Sequence, residues 1–368
     1  MLWEKITKIE KQMKLSDAPL ALTFDDVSLV PAHSTVKSRK EPDTTTVIGG
    51  QKYKVPIFAS CMNTITEVNM AVIMSNLNAG AIVHRYMSID DQNKMAIKVI
   101  TFGCKEKVFF AVGATGDYLE RTQSLYSAGV RKICVDVANG HSATLLNAVE
   151  TLRKTFPDLT LMAGNVCDNL GAWYLASSGV NVIRVGIGSG GICKTRVVTG
   201  FGVPQMTALE DCVRVKEQFP NVAILADGGI RNSGDIIKSL AIGADGVVCG
   251  GVLAGTDETP GSVINKPTYL GNGQYKENKI KHYNGMASEA GRKFNGWFSE
   301  EDASFVPEGV SLEVPCKGPV SKVIENLVGG VKVGMSYAGA RTLEELRKNA
   351  KWVRVSSAGY QEGLPRNG

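Results

Sequence analysis

Eight short runs of apolar, largely β-branched residues recur along the chain, at 55–59, 80–84, 108–112, 133–136, 159–163, 182–185, 222–226 and 246–249. Several are apolar throughout instead of alternating, the pattern of strands buried on both faces. Between them lie segments with apolar positions three and four apart, predicting helices over 117–128, 143–155, 208–218 and 234–242. Strands alternating with helices imply an α/β fold with a parallel sheet, and eight such units predict a closed (β/α)8 TIM barrel. A doubly wound sheet is the alternative reading, but no G-x-G-x-x-G opens a helix after the first strand. The rhythm breaks from 266 to about 310, a glycine-, lysine- and asparagine-rich stretch that reads as either disordered or a functional lid. Helices at 320–327 and 342–350 follow. The expected organisation is one catalytic barrel domain over 1–368, with a mobile flap over about 266–310 after the eighth strand.

Polar residues and glycines gather where the strands end, at Ser60-Cys61-Met62-Asn63, His84-Arg85, Asp136, Gly164-Asn165, Asp227-Gly228-Gly229 and Gly250-Gly251. In a barrel those ends share one face, where active sites sit. The run 182–185 empties into Gly186-Ile187-Gly188-Ser189-Gly190-Gly191-Ile192-Cys193-Lys194-Thr195-Arg196, the most informative segment of the chain. Its glycines let the backbone approach a ligand, clustered N–H groups bind anions, and a thiol held there has a route to nucleophilic attack. The segment predicts covalent catalysis on a phosphorylated substrate. Cys134 and Cys249, inside strands, read as inert core, and Lys276, Lys279 and Lys281 as a solvated face of the lid.

Composition narrows the class further. Hydrophobic residues make up 43% of 368, enough for a large core, yet no apolar stretch reaches the roughly 18 residues of a membrane span. The start, Met1-Leu2-Trp3-Glu4-Lys5, lacks the features of a signal peptide. Eight scattered cysteines without a C-x-x-C pair point to reduced thiols, and so to a cytoplasmic enzyme. Four histidines weaken a metal reading, and a dispersed net charge of +5 gives little support for nucleic-acid binding.

With these residues in view, the chain resembles the family of IMP dehydrogenase and GMP reductase, purine-nucleotide oxidoreductases on a (β/α)8 barrel. The likeness covers nearly the whole length. It runs through Leu22-Thr23-Phe24-Asp25-Asp26-Val27, Val83-His84-Arg85-Tyr86-Met87-Ser88, Gly164-Asn165-Val166, the 186–196 loop and Thr199-Gly200-Phe201-Gly202-Val203-Pro204-Gln205. It continues with Ala226-Asp227-Gly228-Gly229-Ile230-Arg231, Ala254-Gly255-Thr256-Asp257-Glu258-Thr259-Pro260-Gly261 and Tyr283-Asn284-Gly285-Met286. The pair of CBS domains that many IMP dehydrogenases insert after the second barrel unit is missing, since Ser88-Ile89-Asp90-Asp91-Gln92 runs straight into the third unit.

The resemblance implies that Cys193 attacks C2 of the purine, that Thr195 transfers the proton, and that Glu308 is its carboxylate partner. It implies phosphate contacts at Gly190, Gly191, Gly229, Gly250, Gly251 and the Tyr283 hydroxyl, with Asp227 on the ribose. Ser60 and Met62, with the backbone at Gly285 and Met286, would line the nucleotide, and Asp136 and Asn165 would meet the cofactor. A homotetramer is implied as well. Departures bear on the reaction. Where the dehydrogenase carries an Arg-Tyr pair on its flap for hydrolysis, this chain holds Gly296 and Trp297, and Arg292 sits outside the pattern. That favours GMP reductase, in which GMP is deaminated reductively to IMP and ammonia with NADPH. The stretches 317–320 and 357–363 look instead like the dehydrogenase, which oxidises IMP to XMP with NAD and K+. Its potassium would fall to backbone oxygens at Gly188, Gly190 and Cys193, with Glu362 and Gly363 of a neighbouring copy. Gly191 and Ser189 replace a serine and a proline common in the phosphate loop, and Asn63 replaces an aspartate. A nucleotide-binding protein that has lost its chemistry is the reading from another class.

Overall fold

A computed structural model describes residues 15–272, 274–289 and 306–365. Eight parallel strands close into a barrel in chain order. They are β1 (Ile57–Ala59), β2 (Gly80–Val83), β3 (Val108–Val112), β4 (Lys132–Asp136), β5 (Thr160–Val166), β6 (Val182–Val185), β7 (Ala223–Asp227) and β8 (Gly246–Cys249). β8 pairs back onto β1 through Val247 and Ile57, so no edge is left open. Every predicted strand is present, within one to three residues at its ends. The (β/α)8 reading is therefore correct.

The period of two along each strand divides the core into two layers. One parity, including Ile57, Val83, Phe110, Val135, Ile183 and Ile224, packs outward under the helices. The other fills the barrel with Phe58, Ile82, Phe109, Cys134, Met162, Val182, Leu225 and Val248. Gly80 makes room for that inner layer, since a Cβ there would stand 2.1 Å from the Phe58 ring. A hairpin of Thr46–Ile48 and Gln51–Tyr53 lends Ile48 and Tyr53 to the same inner cluster. Its Gly49-Gly50 turn has φ of +55° and +77°, the primed geometry that suits the twist of a hairpin. Parity has a consequence at the other end. Asp136, Arg184 and Asp227 share the inward parity of Cys134, Val182 and Leu225, so three charged residues converge at the strands' C-terminal ends.

Helices follow the strands much as predicted, and several open on a side-chain cap, as Ser142 and Asn232 do for Ala143–Thr155 and Ser233–Ile242. Two differ. The predicted 208–218 helix begins earlier, as Gln205–Cys212, and ends in a tighter 3-10 turn, Val213–Glu217. The helix predicted to stop at 327 runs over Val320–Tyr337 despite Gly329, Gly330 and Gly334. Contact explains it, because a Cβ at Gly330 or Gly334 would stand 2.1 Å from Ser233 Oγ or 2.3 Å from Ile237 Cδ1 on the neighbouring helix. The 266–310 stretch contributes two strands of an antiparallel sheet, β9 (Ile264–Gly271) and β10 (Gln274–Asn284), and β11 (Ser311–Pro315), just beyond it, is the third. Most of it is exposed, so its sequence carries no apolar alternation to read. Among the described residues no helix is long and apolar enough to cross a membrane.

Candidate active site

The loop that leaves β6 is held close to the end of β7. Gly186 has φ +146°, and a Cβ on it would stand 1.9 Å from the Asp227 carbonyl oxygen, so only glycine fits. Gln205 donates to the Val185 carbonyl at 2.7 Å and fixes the strand end below. Further along, the loop is zipped to a distant segment. Cys193 bridges Gly309 in antiparallel fashion. Lys194 N–H donates to the Glu308 carbonyl at 2.6 Å, and Val310 N–H to that of Ile192 at 3.1 Å. Those bonds deliver the Glu308 side chain. The Thr195 hydroxyl donates to Glu308 Oε2 at 2.8 Å and accepts from the Cys193 thiol at 3.1 Å. The result is an unbroken path from an exposed sulfur, through a hydroxyl, to a carboxylate. Such a path can take a proton from the thiol and return it to a reacting group.

The floor beside it is ionic. Arg184, 5% exposed, stands between two carboxylates. Its Nη1 lies 2.6 Å from Asp136 Oδ1, and its Nε and Nη2 lie 2.7 and 2.6 Å from Asp227 Oδ2. Burial would raise the Asp136 carboxyl, but Arg184, and after it Arg85, hold it below the ordinary carboxylate range. Burial, against the opposing charge of Arg184 and with help from Asp136, pushes the neighbouring Cys61 thiol well up, consistent with an inert group. The Asn165 amide donates to the Gly186 carbonyl at 2.8 Å and to Asp227 at 3.1 Å, leaving its Oδ1 buried without a partner. Sequence reasoning missed Arg184 as a functional residue. The signal was available, since it is the lone charge in an apolar strand and has inward parity.

These groups line one cavity of about 1090 Å³ over the barrel mouth. Cys193, Thr195 and Glu308 stand together in it, with Gly188, Gly190 and Gly191 of the same loop. Asp227 and Gly229 enter from β7, Gly250 and Gly251 from β8, and Ser60 and Met62 from β1. Tyr283, Gly285 and Met286 wall it from β10 and the turn after it, while Asp136 and Asn165 lie in the limb that Arg85 and Tyr86 also line. Burial pushes the Tyr283 phenol upward, so it stays a hydroxyl donor. Glu362 and Gly363 are not among the lining residues. They end an exposed tail helix, Ser357–Glu362, and Gly190's carbonyl already accepts the Cys193 N–H at 3.1 Å. Arg292, Gly296 and Trp297 lie outside the described residues. The reading of the lysine cluster needs correction. Lys276 and Lys279 are exposed, but Lys281 is buried, its ammonium taken up by the carbonyls of Thr256, Asp257 and Thr259.

The family model described as "IMP dehydrogenase / GMP reductase domain" matches residues 21–366. The inosine-5'-monophosphate dehydrogenase of Nitrosopumilus maritimus is 32% identical, covering 94% of this chain and 98% of that protein. That of Bacillus subtilis is 36% identical over 371 residues, 96% of this chain and 73% of the relative. Among solved structures, a cysteine-to-alanine variant of GMP reductase from Trypanosoma brucei, in complex with guanosine 5'-monophosphate, superposes with a TM-score of 0.86. It is 28% identical, covering 96% of this chain and 99% of that one.

Proposed function

The chain belongs to the IMP dehydrogenase / GMP reductase family, and from that premise we propose that it is a GMP reductase working through a bond between Cys193 and C2 of the purine. The observation that carries the reading is the Cys193–Thr195–Glu308 path. The thiol proton passes through Thr195 to Glu308, and the sulfur adds at C2 of GMP. The same path returns a proton to the 2-amino group, which leaves as ammonia. Sulfur then departs once C2 has been reduced, giving IMP.

The phosphate of the nucleotide falls to the backbone at Gly190, Gly191, Gly229, Gly250 and Gly251 and to the Tyr283 hydroxyl. Asp227 takes the ribose, and Ser60, Met62, Gly285 and Met286 line the nucleotide. NADPH, as donor, supplies the hydride when bound. The chain's residues fit such a group. Asn165 Oδ1 is a buried acceptor without a partner, suited to a carboxamide N–H. Asp136 keeps Oδ2 for hydroxyls, with Arg85 Nε 3.9 Å away. A potassium site built on Gly188, Gly190 and Cys193 draws Glu362 and Gly363 from a second copy, and so goes with the tetramer.

The residues Gly296 and Trp297, in place of the dehydrogenase's Arg-Tyr pair, support reduction over hydrolysis, since neither supplies a base for water. The second reading, IMP dehydrogenase, is favoured by the names of the Nitrosopumilus and Bacillus relatives. One pair of assays decides. GMP-dependent oxidation of NADPH, with IMP released, is the expected result. NAD reduction on IMP, stimulated by K+ and yielding XMP, reverses the choice.

Two sets of variants test the assignments. Glu308→Gln preserves shape and removes the proton acceptor, so kcat falls about 10²- to 10⁴-fold while KM for the nucleotide changes little. A Cβ at Gly250 would stand 2.8 Å from the Tyr283 hydroxyl and 3.2 Å from Met62 Sδ, whereas one at Gly191 meets nothing within 4 Å. Gly250→Ala therefore weakens nucleotide binding about tenfold, by overpacking, and Gly191→Ala leaves it nearly unchanged. Titration calorimetry with GMP reads both, and an affinity in Gly250→Ala equal to that of the wild type would remove Gly250 from the phosphate cradle.

A further inference from the structure

Lys281 on β10 is 4% exposed, yet among the described residues no carboxylate pairs with it. Its ammonium sits in a cage of oxygens instead. It donates to the carbonyls of Thr256 at 3.0 Å, Asp257 at 3.2 Å and Thr259 at 2.8 Å, and meets Thr259 Oγ1 at 3.2 Å. The nearby Glu258 carboxylate is turned elsewhere, accepting from Val320 N–H at 2.8 Å. A buried charge without a counter-charge is costly unless polar groups replace its water, and a cage of carbonyls is what a desolvated monovalent cation needs.

The cage and the lysine belong to different parts of the chain. Thr256, Asp257 and Thr259 lie on the segment after β8 that begins with Gly250 and Gly251. Lys281 lies two residues before Tyr283 on β10, so the two side chains share a face. The Tyr283 hydroxyl stands over both glycines, within 2.8 and 3.6 Å of where their Cβ atoms would be. We propose that Lys281 is a positioning residue, a tethered monovalent cation that holds β10 to the loop after β8 and so sets the Tyr283 hydroxyl over the Gly250-Gly251 turn. This inference rests on the phosphate assignment made above. Removing the ammonium does not cut the segment loose altogether. Lys317 N–H still donates to the Gly255 carbonyl at 2.8 Å, Asp257 N–H to that of Gly318 at 3.0 Å, and Cys316 N–H to that of Lys279 at 2.9 Å.

The test uses the full chain carrying Lys281→Ala, which deletes the atoms from Cγ to Nζ, with propylammonium as the probe because it restores them. GMP affinity falls about tenfold in the variant, as expected for losing a hydroxyl bond to a charged group. Within the assay that works for the wild type, kcat stays within about threefold. Propylammonium restores the affinity, whereas tetramethylammonium, which has no N–H, does not. Lys281→Met, which keeps the apolar stem, loses affinity and is not rescued. Unchanged GMP affinity in Lys281→Ala and Lys281→Met, or equal rescue by the two ammonium ions, overturns the proposal. Hydrogen exchange of the 274–284 segment separates this failure from that of the functional reading. If wild-type protein binds neither GMP nor IMP, the function is wrong. The tether is still read from exchange that speeds up in Lys281→Ala and slows again with propylammonium.

Discussion

Cys193→Ala is expected to turn over nucleotide at least about 10⁴-fold more slowly than the wild type while still binding it. A covalent route has no substitute for its nucleophile, and groups acting as a unit fail together. On the proposed assignment binding survives, because the nucleotide is held by backbone, Tyr283 and Asp227, none of which touches the Cys193 side chain among the hydrogen bonds of the site. Mass spectrometry supplies the complementary reading. A nucleotide adduct trapped on the wild type maps to Cys193 and is missing from the variant. Five of the other seven thiols are held in the protonated form. Burial pushes Cys134 up to about 12, and lifts Cys61, Cys212 and Cys249 far above the range of ordinary assays, so they stay protonated. A half-buried Cys167 is pushed up to about 11, by burial first and then by Asp168. Turnover that persists in Cys193→Ala would sink the covalent mechanism.

Arg184→Met is expected to destabilise the fold by about 3–5 kcal/mol at neutral pH, because it leaves Asp136 and Asp227 as facing carboxylates without their cation. The pH dependence distinguishes charge from packing. In the wild type the Asp136 carboxyl is held below its ordinary value, so its contribution is fully present above the unfolded pKa of about 3.9 and is lost as pH falls through the folded value. In the variant, burial acts without Arg184, the carboxyl rises, and acid relieves the penalty by neutralising it. The gap between the two proteins, read from urea midpoints, is therefore widest near pH 7 and narrows toward pH 4. A gap that stays constant across that range would make Arg184 a packing residue only. Both limbs of the cavity are coupled to it, so GMP and NADPH should each bind more weakly.

Much of this site could be read from the sequence because its informative residues are local. The eight apolar runs announce strands, and the polar clusters that end them become one face once the barrel closes. The 186–196 loop advertises its thiol by glycines alone. Glu308 was different. Its partner Thr195 lies 113 positions away, and no periodicity joins them, so only the family resemblance nominated it. Arg184 was overlooked because a strand was read as a block, when its parity already turned the side chain into the lumen. Lys281 is a different case. Charge content said solvent, and nothing local in the sequence shows that the carbonyls at 256, 257 and 259, more than twenty positions away, replace its water. The long helix over Val320–Tyr337 failed the other way, since glycines that weaken a helix alone admit the close neighbour that stabilises it.

The manner in which Glu308 arrives bears on how one scaffold comes to serve more than one reaction. The proposed nucleophile belongs to the barrel, but the carboxylate proposed to take its proton is brought by a strip of chain docked through backbone bonds to Ile192 and Lys194. Backbone docking asks nothing of the side chains at the contact itself, so main-chain bonds alone set where the Glu308 carboxylate arrives. On the proposed mechanism, bond-making and proton management thus sit on separate pieces of sequence, 113 positions apart, joined only where the strip docks.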